Sequence, residues 1–212
     1  MIIPAIETLY KIFDSLNNKY FQSKLKQPII TIQTQGRYNG KSQILGWCSS
    51  EPIWTHKDSK QKDVKHYEIN ICAETLQRDM IEIAATLQHE IVHYANSSYG
   101  IDDCKKGRHN EYFKELAERC DLKVTKQRGR GWGNTEANEA FVNFIVSLKL
   151  DQKVFDCYRE LKLTEKTKRE KKMFKYICPS CKTEAKAKVD ANIICGECNQ
   201  EFVMVEEKEK EE

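Results

Sequence analysis

The chain has 212 residues, 40% hydrophobic and 32% charged, with a formal net charge of +3. That length suits one medium domain plus a small appendage. The charge is too balanced for a strong global field, and no apolar stretch approaches the ~20 residues a bilayer span needs.

Pro4 leads into Ile6, Leu9, Tyr10, Phe13, Leu16 and Tyr20, the spacing of an amphipathic helix over 4–24. Glu7, Lys11 and Asp14 interrupt the apolar run, so these first residues do not read as a signal peptide. Ile29, Ile30 and Ile32 mark a strand near 28–35, with further strands expected near 43–49 and 66–72. Between the last two, residues 50–65 carry Pro52, Asp58, Ser59 and Lys60 and read as a loop.

Residues 79–100 read as one long helix. Asp79 and Glu82 form a D-x-x-E capping box, and Gly100 follows the last plausible turn. At about 100° per residue, Met80, Ile83, Ala84, Leu87, Ile91, Tyr94 and Ala95 share a broad apolar face. His89 and His93 fall on the opposite side, away from the core stripe. They belong to His89-Glu90-Ile91-Val92-His93, an H-E-x-x-H pentapeptide. Two imidazoles one helical turn apart can reach a single zinc ion, and the glutamate between them then lies beside the open position as a general base.

Such a site needs a third protein ligand and leaves the fourth position to water. Of the five histidines, His109 is the one downstream of the helix, with 15 residues between it and His93. It is four residues before Phe113, and with Phe113, Leu116, Ala117 and Cys120 it continues the inward stripe of a second helix. Glu111, Glu115 and Glu118 are alternatives, but the same angular count places them off that stripe. The metzincin spacing would want Gly at 96 and His at 99, where this chain has Asn96 and Tyr99. Tyr94, Tyr99 and Tyr112 are near enough in sequence to stabilise an oxyanion, and none can be singled out.

Phe141, Phe144, Ile145 and Leu148 fit a further helix. Residues 151–173 read as a charged helical linker, in which Val154, Phe155, Tyr158 and Leu161 continue a stripe. Arg159 to Lys175 then holds eight basic and three acidic residues. Lys126, Arg128, Arg130 and Trp132, within a glycine-rich Gly129-Arg130-Gly131-Trp132-Gly133 run, are candidate nucleic-acid contacts. Cys178-Pro179-Ser180-Cys181 and Cys195-Gly196-Glu197-Cys198, 13 residues apart, have the spacing of a closed four-thiolate structural zinc site in a ribbon over 174–205. The other cysteines of the odd total of nine (Cys48, Cys72, Cys104, Cys120 and Cys157) are scattered. That usage fits a reducing compartment, and a cytoplasmic protein is expected. Residues 206–212 form an acidic tail with five Glu and two Lys.

The arrangement of helices against a small sheet over 1–150 is α+β. H-E-I-V-H at 89–93 followed by Gly107-x-His109-x-x-x-Phe113 resembles the SprT-like metalloprotease domain, the group that includes the Spartan proteases. Leu45-Gly46-Trp47-Cys48 and Tyr67-Glu68-Ile69-Asn70-Ile71 look like the strands before that family's active-site helix, and the four-cysteine segment is similar to its terminal zinc ribbon. The resemblance runs over roughly residues 4–203. One departure is Asn110-Glu111-Tyr112, where better-known relatives carry a Gly-Pro-Glu-like run. The resemblance implies a zincin-like domain, one catalytic and one structural zinc, and protein substrates attached to or associated with DNA. Two other functions compete with it. One is a nucleic-acid-binding zinc protein with a weak or vestigial protease site, and the other a protease of the ImmA type that clips a regulator.

Overall fold

The computed structural model describes residues 2–34, 44–160 and 173–205. The chain divides into two units, 1–161 and 162–212; the first mixes α and β, and the described part of the second holds strands alone.

In the first unit, helix α1 (Ile3–Phe21) begins with Pro4 in its first turn and ends on Gln22 in the left-handed region, φ 55°. Leu9, Ile12, Phe13 and Leu16 are fully buried on its inner face. The buried Asn17 holds the chain's exit, its Nδ2 donating to Leu25 O at 2.9 Å and its Oδ1 accepting from Leu25 N.

Strands β1 (Ile29–Gln33), β2 (Gly46–Cys48) and β5 (Glu68–Cys72) form a sheet ordered β1-β5-β2. β5 runs parallel to β1 and antiparallel to β2. Alternation along β5 sends Ile69 and Ile71 to the core and Glu68 and Asn70 to the other face. There they are satisfied, Asn70 Oδ1 accepting from Gln33 N and Glu68 from Thr31, Gln33 and Trp54.

The expected loop at 50–65 is instead a hairpin, β3 (Trp54–Lys57) paired antiparallel with β4 (Asp63–His66). Asp58 is the turn residue its type suggests: its Oδ1 accepts from Lys60 N and Lys62 N at 2.8 Å. The strands leave no mark on the sequence because β3 is exposed at every position and β4 is never buried. A solvated ribbon has no apolar alternation to read.

Helix α2 (Met80–Ser98) is capped by Asp79, whose side chain accepts from Ile81 N. All seven residues assigned to its apolar face are buried. Helix α3 (Glu111–Arg119) is capped by Asn110, and α4 (Glu139–Ser147) by Asn138. A second sheet, unread in the sequence, is ordered β6-β7-β9-β8 from β6 (Cys104–Lys105), β7 (Arg108–His109), β8 (Leu122–Gln127) and β9 (Gly131–Ala137). Two of its strands have only two residues, too short for any period.

The helical connector is also corrected. A 3₁₀ turn at Gln152–Phe155 is followed by irregular chain to residue 160. The rest of that segment, with Leu161, and the acidic tail 206–212 lie outside the described residues. In the second unit β10 (Phe174–Ile177) is central in a sheet ordered β11-β10-β12, with β11 (Glu184–Ala187) and β12 (Val203–Met204). No helix among the described residues is long and apolar enough to cross a membrane.

Candidate metal centres

α2 presents His89 and His93 one turn apart on the wall of a cleft of about 760 Å³. His109 reaches the same point from a different element than expected. It does not open α3 but lies in β7, one residue ahead of the Asn110 cap. Asn110 Oδ1 takes the N–H groups of Tyr112 and Phe113 and so sets the helix start after the histidine. The three Nε2 atoms are 3.2 Å (His89–His109), 3.3 Å (His89–His93) and 3.0 Å (His93–His109) apart. Zinc–nitrogen bonds of 2.0–2.1 Å in a tetrahedron place ligand nitrogens ~3.3 Å apart.

The outer ring nitrogens decide whether those Nε2 atoms are donors or ligands. His93 Nδ1 is 2.9 Å from Asp103 Oδ2, and His109 Nδ1 is 3.2 Å from the Arg130 carbonyl. Both partners can only accept, so both rings carry the proton on Nδ1 and turn a lone pair inward. His89 Nδ1 meets Thr135 Oγ1 at 2.9 Å. Three convergent Nε2 atoms, each on a ring whose outer nitrogen is anchored, are what a metal needs. The residues present therefore fit a zinc ion.

The electrostatics differ among the three rings. Burial, with the neighbouring imidazoles, holds His89 well below its ordinary value and lowers His109. For His93 burial acts downward, but the Asp103 hydrogen bond and the Glu90 and Asp103 charges outweigh it and raise the pKa. Glu90 is buried in the same cleft, and burial pushes its carboxyl up to about 7 although His93 opposes the shift. Beneath the site the Phe113 ring packs within 4.4–4.7 Å of all three imidazole centroids.

Asp103, which the sequence reading missed, is buried and is also held by Asn96 Nδ2 at 2.9 Å. His93, Asp103 and Cys104 could themselves surround an ion, but Asp103 engages the outer nitrogen of His93, which assigns it to orienting that ring. Removing such a partner costs 10–100-fold in metal affinity or activity in characterised sites. We expect Asp103→Ala to weaken zinc binding at the histidine site by about that factor, measured by competition with a chelator.

The hairpin Lys126–Trp132 is the support of His109. Arg130 O accepts both the His109 N–H and its Nδ1–H. This close approach requires glycine at two positions: a Cβ at Gly131, φ +65°, would be 2.2 Å from His109 O, and one at Gly133 would be 2.7 Å from His109 Nδ1. Gly133→Ala is expected to displace the imidazole and weaken zinc binding about tenfold or more, with the helical circular dichroism unchanged. The ammonium groups of Lys114 and Lys126 are 5.3 and 5.2 Å from the Trp132 ring centroid, and Trp132 Nε1 donates to Glu111. Lys126, Arg128 and Arg130 are exposed.

Among the candidate oxyanion donors, Tyr94 is committed to Lys26 O, and Tyr99 and Tyr112 are more than half exposed. None of the three lines the cleft.

In the second unit the sulfurs of Cys178, Cys181, Cys195 and Cys198 lie within 4.8 Å of one another. Each pair sits on the same kind of turn: Lys182 N donates to Cys178 O, and Asn199 N to Cys195 O. All nine cysteines are unpaired. The four thiols fit a closed zinc site.

A family model described as the SprT-like family matches residues 9–131. No curated protein and no solved structure matches the chain. The match covers more than half of the sequence and runs from α1 through all three histidines to the glycine beside His109, so the chain belongs to the SprT-like family and its first unit is a metalloprotease-like domain.

Proposed function

We propose that this protein is a zinc-dependent endopeptidase with His89, His93 and His109 as metal ligands, Glu90 as general base, and a structural zinc on Cys178, Cys181, Cys195 and Cys198. The observation that carries the reading is the convergence of three imidazole Nε2 atoms beside a buried carboxylate. Bound zinc would lower the pKa of water to about 7 and polarise a peptide carbonyl. Glu90 takes the proton of the attacking water and returns it to the leaving amine. Asp103, Thr135 and the Arg130 carbonyl hold the imidazoles in place through these steps. The cleft wall supplied by Leu45, Trp47, Asn134 and Glu136 receives the polypeptide.

Its substrates, in this reading, are proteins on DNA. Membership in the SprT-like family supports that class, as do the exposed Lys126, Arg128 and Arg130 on the hairpin behind His109. Because these residues and the metal site share that hairpin, DNA bound there lies close to the cleft. The test is cleavage of a DNA-bound basic protein and of casein, with and without single-stranded DNA. Cleavage of both that rises with DNA is the expected result. Equal cleavage without DNA would remove the DNA-linked substrate class, and no cleavage by the zinc-loaded chain would favour a zinc-dependent nucleic-acid binder.

A further inference from the structure

All five histidines of the chain stand beside another imidazole, and two of them lie outside the cleft. His56 on β3 and His66 on β4 are diagonal neighbours across the hairpin, since Trp54 pairs with His66 and His56 with Val64. Their rings stack with centroids 5.0 Å apart and 26° between planes. His66 Nε2 lies 3.0 Å from His56 Nδ1, the separation found between the Nε2 atoms of His93 and His109.

The outer nitrogen of His66 is anchored as His109's is. His66 Nδ1 is 3.2 Å from the carbonyl of Gln27. A carbonyl only accepts, so the proton is on Nδ1 and the lone pair on Nε2 faces His56. Without an ion, His56 Nδ1 donates to that lone pair. If the His56 proton instead sits on its other nitrogen, both rings stay neutral and two lone pairs face one point. The hairpin is held while this happens. Lys57 pairs with Asp63 near its turn, and Trp54 Nε1 donates to the buried Glu68 at its base, 2.7 Å away.

We infer that His56 Nδ1 and His66 Nε2 form a two-imidazole chelate for a borderline divalent transition-metal ion of the zinc, nickel or copper class, with water in its remaining positions. Imidazole pairs select such ions over magnesium and calcium, which prefer oxygen. With two protein ligands it is the weakest of the sites and fills last. The ion would cross-link β3 to β4 on the surface, away from Glu90.

The experiment is zinc content per full-length chain against rising free zinc, for wild type, His56→Gln and His66→Gln. Wild type is expected to take up one equivalent beyond its tight plateau, and each variant to reach the same plateau without the extra ion. Excess magnesium should leave the extra equivalent in place. Repeating the measurements in a His93→Ala background separates this site from the cleft, since adding His56→Gln there must still remove the extra equivalent. His56 is exposed, so its variant retains the fold even if His66→Gln loosens the hairpin. No extra equivalent in wild type, or its retention in His56→Gln, overturns the inference.

Discussion

Glu90→Gln is expected to lower the rate of peptide cleavage by about 10²–10⁴-fold, the usual contribution of a positioned acid–base group, while zinc content and thermal stability stay near wild type. The amide has nearly the carboxylate's shape and cannot accept the water proton. Glu90 is not one of the three nitrogen ligands, so its replacement leaves the metal site intact. Burial raises the carboxyl's pKa, and the neutral amide is the easier group to bury, so the variant has no reason to unfold. The measurement is kcat with a casein or histone substrate, alongside zinc per chain. A variant that loses zinc along with activity would make Glu90 a structural residue, and a variant that cleaves at the wild-type rate would remove it from the chemistry.

The second large effect belongs to the cysteine cluster. The described part of that unit is 33 residues with three short strands, and of its residues Tyr176, Cys178 and Cys195 alone are buried among those described. A segment of that size cannot bury enough apolar surface to hold itself together. The metal must supply its folding energy, ~10–16 kcal/mol for structural zinc in peptides of this kind. Cys195→Ser should therefore abolish order across 173–205 and remove one zinc per chain. Nuclear magnetic resonance would show the dispersed amide signals of residues 173–205 collapsing to random-coil positions, while α2 and α3 keep their dispersed signals. Dispersed signals surviving in the serine variant, or in chelator, would contradict a metal-dependent fold.

Several features of the site were legible in the sequence because they depend on local spacing. The H-E-x-x-H turn on an amphipathic helix fixes which face the imidazoles occupy, and two C-x-x-C turns fix four thiols. His109 was legible as a residue but not as a strand, since one asparagine later in the chain decides where the helix begins. The groups that aim the imidazoles were not legible. Asp103 is ten residues from His93, Thr135 is 46 from His89, and Arg130 acts through its backbone, which no side-chain pattern reveals. The glycine-rich basic run at 129–133 suggests a surface for a strand of nucleic acid. In the structure Gly133 admits the His109 ring and Gly131 the His109 backbone. Leu122 and Val124 alternate with polar neighbours in β8, the one cue that the second sheet offered.

The central claim is that three imidazoles share one ion, and anomalous diffraction at the zinc edge from crystals of the zinc-loaded full-length chain tests it most directly. A peak ~2.0–2.1 Å from the Nε2 atoms of His89, His93 and His109 is the predicted result. A peak displaced toward Asp103 and Cys104, or a His109 ring turned away from the ion, would contradict it.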